Sequence, residues 1–289
     1  MTGRRQHDLV AQPELRDLLA TRLQNYQLSP TQFNTFLDAT RDGPAKFFRQ
    51  ALLRFPSAPS VSSSYGNAMH ETLEWIHYYQ KSHAQLPVID QTMQAYERRL
   101  QLQRVGEPHH SLLVERGRTA LEIYLDQRSQ TIQSDNRVEY SFRHEGVRVG
   151  QAHLNGKIDK LIIDQKQKTI VIVDYKTGKS HARWSRETKL HFYRHQLYFY
   201  KLLVESSRSF RGYRIIDAYL EFVEPDALGD IVELHANFND ADEQRFKALI
   251  SAVWERIVAL DFPDTSQYSD DLKGIEAFED YLLGEQPED

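Results

Sequence analysis

The pattern of hydrophobic and polar positions along the chain changes near residue 131. Upstream of this point, apolar residues recur every three or four positions, which is typical of amphipathic helices. Downstream of it, apolar and polar residues alternate over short runs, which is typical of strands. The pattern predicts a helical part over residues 27–130 and an α/β part over residues 131–263.

The helical pattern is clearest where capping residues accompany it. Ser29 precedes Pro30, and Gln32 completes the spacing of a capping box, so a helix is expected to start here. Residues 56–66 are rich in serine and proline and are predicted to be a loop. The helices predicted in this half cover residues 13–26, 28–38, 41–55, 67–83, 90–104 and 109–130.

The second half predicts a sheet interrupted by helices. The strands are expected at residues 137–145, 147–164 (bent at Gly156), 169–178, 213–223 and 230–238. The intervening helices are expected at residues 187–205 and 240–260. This order indicates an α/β fold in which helices flank a central mixed sheet.

The predicted strand TIVIVDYK carries two charged residues, Asp174 and Lys176, near its C-terminal end. If Asp164 and Thr169 flank a four-residue hairpin loop, Asp159 faces Asp174 on the neighbouring strand. Opposed residues have Cβ atoms about 4.5–5.5 Å apart. Lys176 lies two residues beyond Asp174 and points to the same face. The register therefore predicts two carboxylates and an ammonium group side by side.

Two opposed carboxylates repel each other unless a cation lies between them. A hard divalent ion such as Mg²⁺, with oxygen ligands at about 2.0–2.1 Å, fits this position. A neighbouring lysine could orient a metal-bound water or stabilise charge on a phosphoryl oxygen. From the residues alone, the alternative is a solvated strand end that carries a surface ion pair.

Composition narrows the class of protein. The 289 residues contain no cysteine, which excludes disulfides, thiolate zinc sites, cysteine-ligated iron–sulfur clusters and a cysteine nucleophile. No apolar run approaches the roughly 20 residues of a membrane span, and the N-terminus lacks a signal-peptide core. We therefore expect no membrane partner and a cytoplasmic location.

The net charge of -5 is unevenly distributed. Residues 264–289 carry nine acidic residues and one lysine, so this segment holds -8 and the rest of the chain +3. The segment is predicted to be a solvated acidic tail, with a DNA-mimicking cover of the site as the alternative. A mildly basic body permits a polyanionic partner, because local charge decides where a polyanion docks.

Several motifs occur in an order that resembles the RecB-like branch of the PD-(D/E)XK nuclease superfamily. They are a G-x-x-x-H helix, a strand with a glutamate, a G-x-x-D strand, a D-Y-K-T strand and a Q-x-x-x-Y helix. The matching residues are Gly66 and His70, Glu139, Gly156 and Asp159, Asp174 to Thr177, and Gln196 and Tyr200. The resemblance covers most of residues 27–260.

The resemblance implies a restriction-endonuclease-like core and a role for each matched residue. Asp159, Asp174 and Lys176 would be catalytic, with Lys176 acting on the water nucleophile. Gln196 and Tyr200, one helical turn apart, would face the site or the DNA. The implied metal ligands are His70, Asp159, Asp174 and the backbone carbonyl of Tyr175.

The implied function is a Mg²⁺-dependent (or Mn²⁺-dependent) deoxyribonuclease without an iron–sulfur cluster, acting in DNA repair or recombination. The nuclease domain would span residues 27–263, after an N-terminal helical extension over residues 1–26. The chain has no G-x-x-x-x-G-K-[ST] motif, so a helicase partner or a missing N-terminal helicase region is expected. The alternative is an inactive nuclease fold that serves as a DNA-binding or scaffolding module.

A basic segment, residues 178–195, directly follows the D-Y-K-T motif. Its Lys and Arg side chains are predicted to contact DNA phosphates, and Trp184 to stack on a base. The alternative is a flexible surface loop. His191 and His195 at helical i, i+4 spacing are predicted to lie on a solvated face or to contact phosphate, with metal ligation as the alternative. The predicted DNA-binding residues are Lys179, Arg183, Trp184 and Arg186.

Overall fold

The computed structural model describes residues 13–285, and residues 1–12 of the predicted N-terminal extension lie outside the described residues. The first half is helical, and its first predicted capping box is present, with Ser29 and Gln32 bonded reciprocally. A π-helical turn, Phe48–Leu52, follows the third helix. The helices are α1 (Pro13–Leu23), α2 (Pro30–Leu37), α3 (Gly43–Phe47), α4 (Val61–His83), α5 (Ile89–Leu102) and α6 (Glu107–Arg128).

The second half contains seven strands and three helices within the described range. The strands are β1 (Arg137–Ser141), β2 (Arg148–Val149), β3 (Ala152–His153), β4 (Lys157–Asp164), β5 (Thr169–Lys176), β6 (Arg214–Phe222) and β7 (Glu233–His235). The helices are α7 (Thr188–Ser206), α8 (Asp240–Ala259) and α9 (Leu272–Leu283).

Two local predictions were wrong. The expected strand over residues 147–164 is a small β2–β3 ribbon followed by β4, because Gly150 has a positive φ of 55° that reverses the chain. The expected loop over residues 56–66 ends early, because Ser60 caps α4 by accepting a hydrogen bond from the Ser63 N–H.

The main sheet has the strand order β1-β4-β5-β6-β7. Strands β5 and β6 are parallel and are connected through α7, whereas the other pairs are antiparallel. The predicted hairpin register is confirmed, since Asp164 pairs with Thr169 and Leu161 with Ile172. The predicted α/β fold, a mixed sheet flanked by helices, is confirmed as well.

The sheet separates two hydrophobic cores. Leu161, Ile172 and Leu220 face the core that contains α2, α7, α8 and α9. Val173 and Tyr219 face the other core, which is built by α4, α5 and α6. Because side chains alternate along a strand, adjacent residues at the strand ends are presented to different helices.

Gly156 allows α7 to pack closely against the start of β4. A Cβ atom at this position would lie 2.5 Å from Cδ1 of Leu203, a fully buried residue of α7. The glycine of the G-x-x-D motif is thus required by packing. It brings α7 beside the strand that carries Asp159.

The acidic C-terminal segment is not a solvated tail over residues 272–283. These residues form α9, which starts where Asp271 accepts a hydrogen bond from the Gly274 N–H. Ile275, Phe278 and Leu282 lie on one helix face and are buried in the first core. The apolar residues of this segment have the spacing of an amphipathic helix, but its high net charge favoured the prediction of a solvated tail.

We expect Phe278→Ala to lower the free energy of unfolding by about 3–5 kcal/mol, because it leaves a cavity in the core. The matched control is Tyr281→Ala on the same helix, where the side chain is 44% exposed and the loss should be about 1 kcal/mol or less. Urea unfolding measures both changes. Equal small losses would mean that α9 does not contribute to the core.

Candidate active site

Asp159 and Asp174 lie at the ends of adjacent strands. At this end of the hairpin Lys160 pairs with Val173. One position further along each strand, Asp159 lies across from Asp174. Both are buried, with 7% and 1% of their surface exposed. Oδ2 of Asp159 accepts a hydrogen bond of 2.8 Å from the backbone N–H of Tyr175. The carboxylate of Asp159 is therefore held by the backbone of the neighbouring strand.

Helix α4 brings His70 to the first carboxylate. Nδ1 of His70 lies 3.2 Å from Oδ1 of Asp159. Although burial opposes both charged forms, their mutual attraction raises the pKa of His70 and lowers the pKa of Asp159. Gly66, one turn before His70, lies beside Thr177, where a Cβ atom would be 3.4 Å from Oγ1 and thus in ordinary van der Waals contact.

Lys176 neutralises the second carboxylate. Its Nζ lies 2.6 Å from Oδ2 of Asp174 and donates a 2.7 Å hydrogen bond to Oε1 of Gln196. Gln196 Nε2 in turn donates to Oδ1 of Asp174 at 3.0 Å and to the Tyr200 hydroxyl at 2.7 Å. Gln196 therefore bridges Asp174 and Lys176, and Tyr200 accepts a hydrogen bond from Gln196. Burial raises the pKa of Asp174 to about 6.

Glu139 joins the site from the edge strand. Its neighbours Val138 and Tyr140 pair with Lys160 and Ile158, which places Glu139 opposite Asp159. Its φ of 50° is left-handed, a conformation that costs about 1–3 kcal/mol for a non-glycine residue in a strand. Such strain is typical of functional sites.

Glu139 belongs to one of the matched motifs, but the resemblance assigns it no role. In the structure, ligand atoms of His70, Glu139 and Asp159 all lie within 4.8 Å of one another. One imidazole and an excess of carboxylate oxygens suit a hard divalent ion such as Mg²⁺ or Mn²⁺. The Tyr175 backbone lies beside this group, and the role of its carbonyl stays a prediction.

A cleft of about 670 Å³ opens onto this group. Its cationic residues are Lys157, which forms an ion pair with Glu139, and Lys189. Tyr193 also lines the cleft, and its ring centroid lies 4.3 Å from Lys176 Nζ. Tyr193 is half-buried, because it packs against the first core while lining the cleft.

A family model for the PD-(D/E)XK nuclease superfamily matches residues 27–269. The chain belongs to the PD-(D/E)XK nuclease superfamily. Members of this superfamily are usually metal-dependent nucleases, and the group of acidic and histidine ligands in this chain agrees with a divalent metal. A search of curated proteins finds no match for the chain.

The basic segment of this PD-(D/E)XK protein surrounds the site only in part. Lys179, Arg183 and Arg186 are exposed, and Arg186 forms a 2.6 Å ion pair with Glu276. Trp184 is half-buried and donates its indole N–H to the backbone carbonyl of His235 at 2.7 Å.

The guanidinium of Arg194 lies 5.3 Å from the Trp184 ring centroid. Trp184 is thus already engaged in a cation–π contact, and a base would have to compete with Arg194 for that ring face. None of the four predicted DNA-binding residues lines the cleft.

Among residues 13–285, no helix is both long and apolar enough to cross a bilayer.

We expect Mn²⁺ to bind more weakly as the pH falls below about 6. Asp174, whose pKa is about 6, takes up a proton there, and His70, whose pKa is raised, is protonated as well. Protons therefore compete with the metal, and affinity should fall at least tenfold per pH unit below about 6. Calorimetric titration measures this, and an affinity that is constant from about pH 5 to about pH 7 would contradict it.

Proposed function

We propose that this chain is a Mg²⁺- or Mn²⁺-dependent deoxyribonuclease that hydrolyses phosphodiester bonds. The observation that carries the proposal is the group of His70, Glu139 and Asp159 on one open cleft, with the Asp174–Lys176 pair at the end of the neighbouring strand. The superfamily match supports hydrolysis of nucleic acid.

His70, Asp159, Asp174 and Glu139 would hold the metal, which when bound polarises the scissile phosphate and its water. Lys176 is positioned by Gln196 and Asp174, so its ammonium can orient the attacking water or stabilise charge on a phosphoryl oxygen. Burial of this lysine strengthens both effects, because the local dielectric is low. Water attacks in line and leaves a 5′-phosphate and a 3′-hydroxyl.

The surface around the cleft supports DNA as the substrate. Lys157 and Lys189 line the cleft, and Lys179 and Arg183 are exposed on the basic segment that follows β5. The wall also carries the neutral polar side chains of Thr31, Ser62, Ser63 and Asn67 and the carboxylates of Glu71 and Glu74. Lys and Arg with neutral donors are the usual partners of a phosphate backbone.

We further infer a role in DNA repair or recombination beside a helicase motor. The supporting observation is the set of RecB-like motifs, because such nuclease domains commonly accompany helicases. A pull-down with the full chain tests this, and recovery of the chain without any ATP-driven motor would count against the helicase link.

The direct test is degradation of single-stranded and double-stranded DNA in Mg²⁺ or Mn²⁺. We expect Asp159→Asn, Asp174→Asn and Lys176→Ala each to lower the cleavage rate by about 100-fold or more. The matched control is Asp164→Asn, at the opposite end of β4, where the carboxylate only caps a turn. This variant should cleave DNA at the wild-type rate.

Equal rates for all of these proteins would indicate a contaminating nuclease and would overturn the proposal. DNA binding without cleavage in either metal would instead favour the inactive DNA-binding module.

DNA affinity in EDTA should depend on the exposed cations. We expect the double variant Lys179→Ala/Arg183→Ala to weaken binding to all sequences and to reduce the slope of log K against log salt by about 2. Lys166→Ala in the β4–β5 turn is the control and should leave the slope unchanged. An unchanged slope in the double variant would remove this loop from the DNA-binding surface.

A further inference from the structure

A second group of metal-type ligands lies between α7 and α9. His191 and His195 are one turn apart on α7, and Glu279 faces them from α9. Oε1 of Glu279 lies 2.8 Å from Nε2 of His191 and 3.8 Å from Nε2 of His195. The three donor atoms all lie within 4.8 Å of one another.

These spacings fit one tetrahedral metal ion. Zinc binds histidine nitrogen and carboxylate oxygen at about 2.0–2.2 Å, so two ligand atoms on one ion lie about 3.3–3.6 Å apart. The observed 2.8 Å and 3.8 Å bracket that separation. Small rotamer adjustments would bring all three atoms to bonding distance.

His195 is held in place without a hydrogen-bond partner. It is 8% exposed, and among residues 13–285 its Nδ1 is buried and unbonded while its Nε2 has only the 3.8 Å approach to Glu279. The rings of Phe33 and Phe246 pack against it at 5.9 Å and 5.2 Å between centroids. Because the site would use Nε2, a metal ion would give that nitrogen a partner in place of the missing hydrogen bond, while Nδ1 keeps the ring proton.

Both His195 and Glu279 offer an electron-pair donor at this position. Burial and nearby cations hold the pKa of His195 well below its usual range, so its ring is neutral and keeps a lone pair for a metal. Glu279 is 4% exposed, and its ion-pair contacts within the described residues are with the two histidines.

Two of the three arginines that line the adjoining cavity pair with other carboxylates of α9 or its C-terminal end, and the third, Arg194, lies over the Trp184 ring. Arg186 pairs with Glu276, and Arg245 pairs with Asp280 and Glu285. The carboxylate of Glu279 is thus left to the two imidazoles.

We propose that His191, His195 and Glu279 form a zinc site that links helix α9 to helix α7. The fourth position would face the adjoining cavity of about 410 Å³, where water can complete the coordination. Borderline ions such as Zn²⁺ favour two imidazoles and one carboxylate, whereas the catalytic group is richer in oxygen. The site is separate from the nuclease chemistry, although Gln196 follows His195 directly.

The test uses the full chain carrying Asp159→Asn, in excess Mg²⁺, so that the catalytic group does not retain zinc. After loading with Zn²⁺ and desalting, we expect about one zinc per chain by elemental analysis. Glu279→Gln and His191→Ala should each weaken zinc affinity at least tenfold. Zinc should raise the melting temperature of the parent and not of these two variants.

The matched control is Glu276→Gln, an identical change one turn earlier on α9, and it should retain zinc. X-ray absorption should show nitrogen or oxygen ligands at about 2.0–2.2 Å. If the parent retains no zinc, or if Glu279→Gln retains as much as the parent, the site does not exist. Because the readouts are metal content and melting temperature, failure of the nuclease proposal would leave this result intact.

Discussion

Two carboxylates buried at the end of one hairpin impose the main constraint on this structure. Removing an ionised carboxylate from water costs several kcal/mol unless charged or hydrogen-bonding partners replace the water. Here Asp159 is held by His70 and by a backbone N–H, and Asp174 by Lys176 and Gln196. Helices α4 and α7 must therefore approach the strand ends closely. The same pairings keep the carboxylates ionised and positioned for a divalent ion.

The opposite face of the sheet carries a second buried polar group that supports this arrangement. Lys160 and Glu221 are fully buried 3.6 Å apart, and the Tyr124 hydroxyl donates to Glu221 at 2.5 Å. Tyr175 connects the two faces, because its N–H holds Asp159 while its hydroxyl lies 3.2 Å from Nε2 of His77. Burial lowers the pKa of His77 to about 3, so this histidine is a neutral partner. Since His77 lies on α4 two turns after His70, the Tyr175 contact also fixes the helix that carries His70.

Helix α7 links the candidate active site to the C-terminal helix. Its Gln196 contacts Asp174 and Lys176, and the adjacent His195 faces Glu279 of α9. Since neighbouring residues of a helix point in different directions, one short segment can serve both groups. The acidic residues of α9 pair with Arg245 of α8, with Arg186 of the loop before α7 and with His191 of α7, while its apolar face completes the core. Acidic residues that suggest a solvated tail in the sequence are thus ion-paired in the folded chain.

The sequence alone determined what depends on local spacing. Periodicity predicted the helical half and the mixed sheet, and the length of one hairpin loop predicted that Asp159 faces Asp174, because register follows from local geometry. Only the tertiary structure decided which residues distant in sequence meet. The left-handed backbone of Glu139 beside Asp159, the docking of α9 and the hydrogen bond from Trp184 to His235 all depend on packing between separate elements of the chain. Such contacts form in the arrangement that buries the apolar surface and pairs the buried charges. A local sequence pattern does not determine that arrangement.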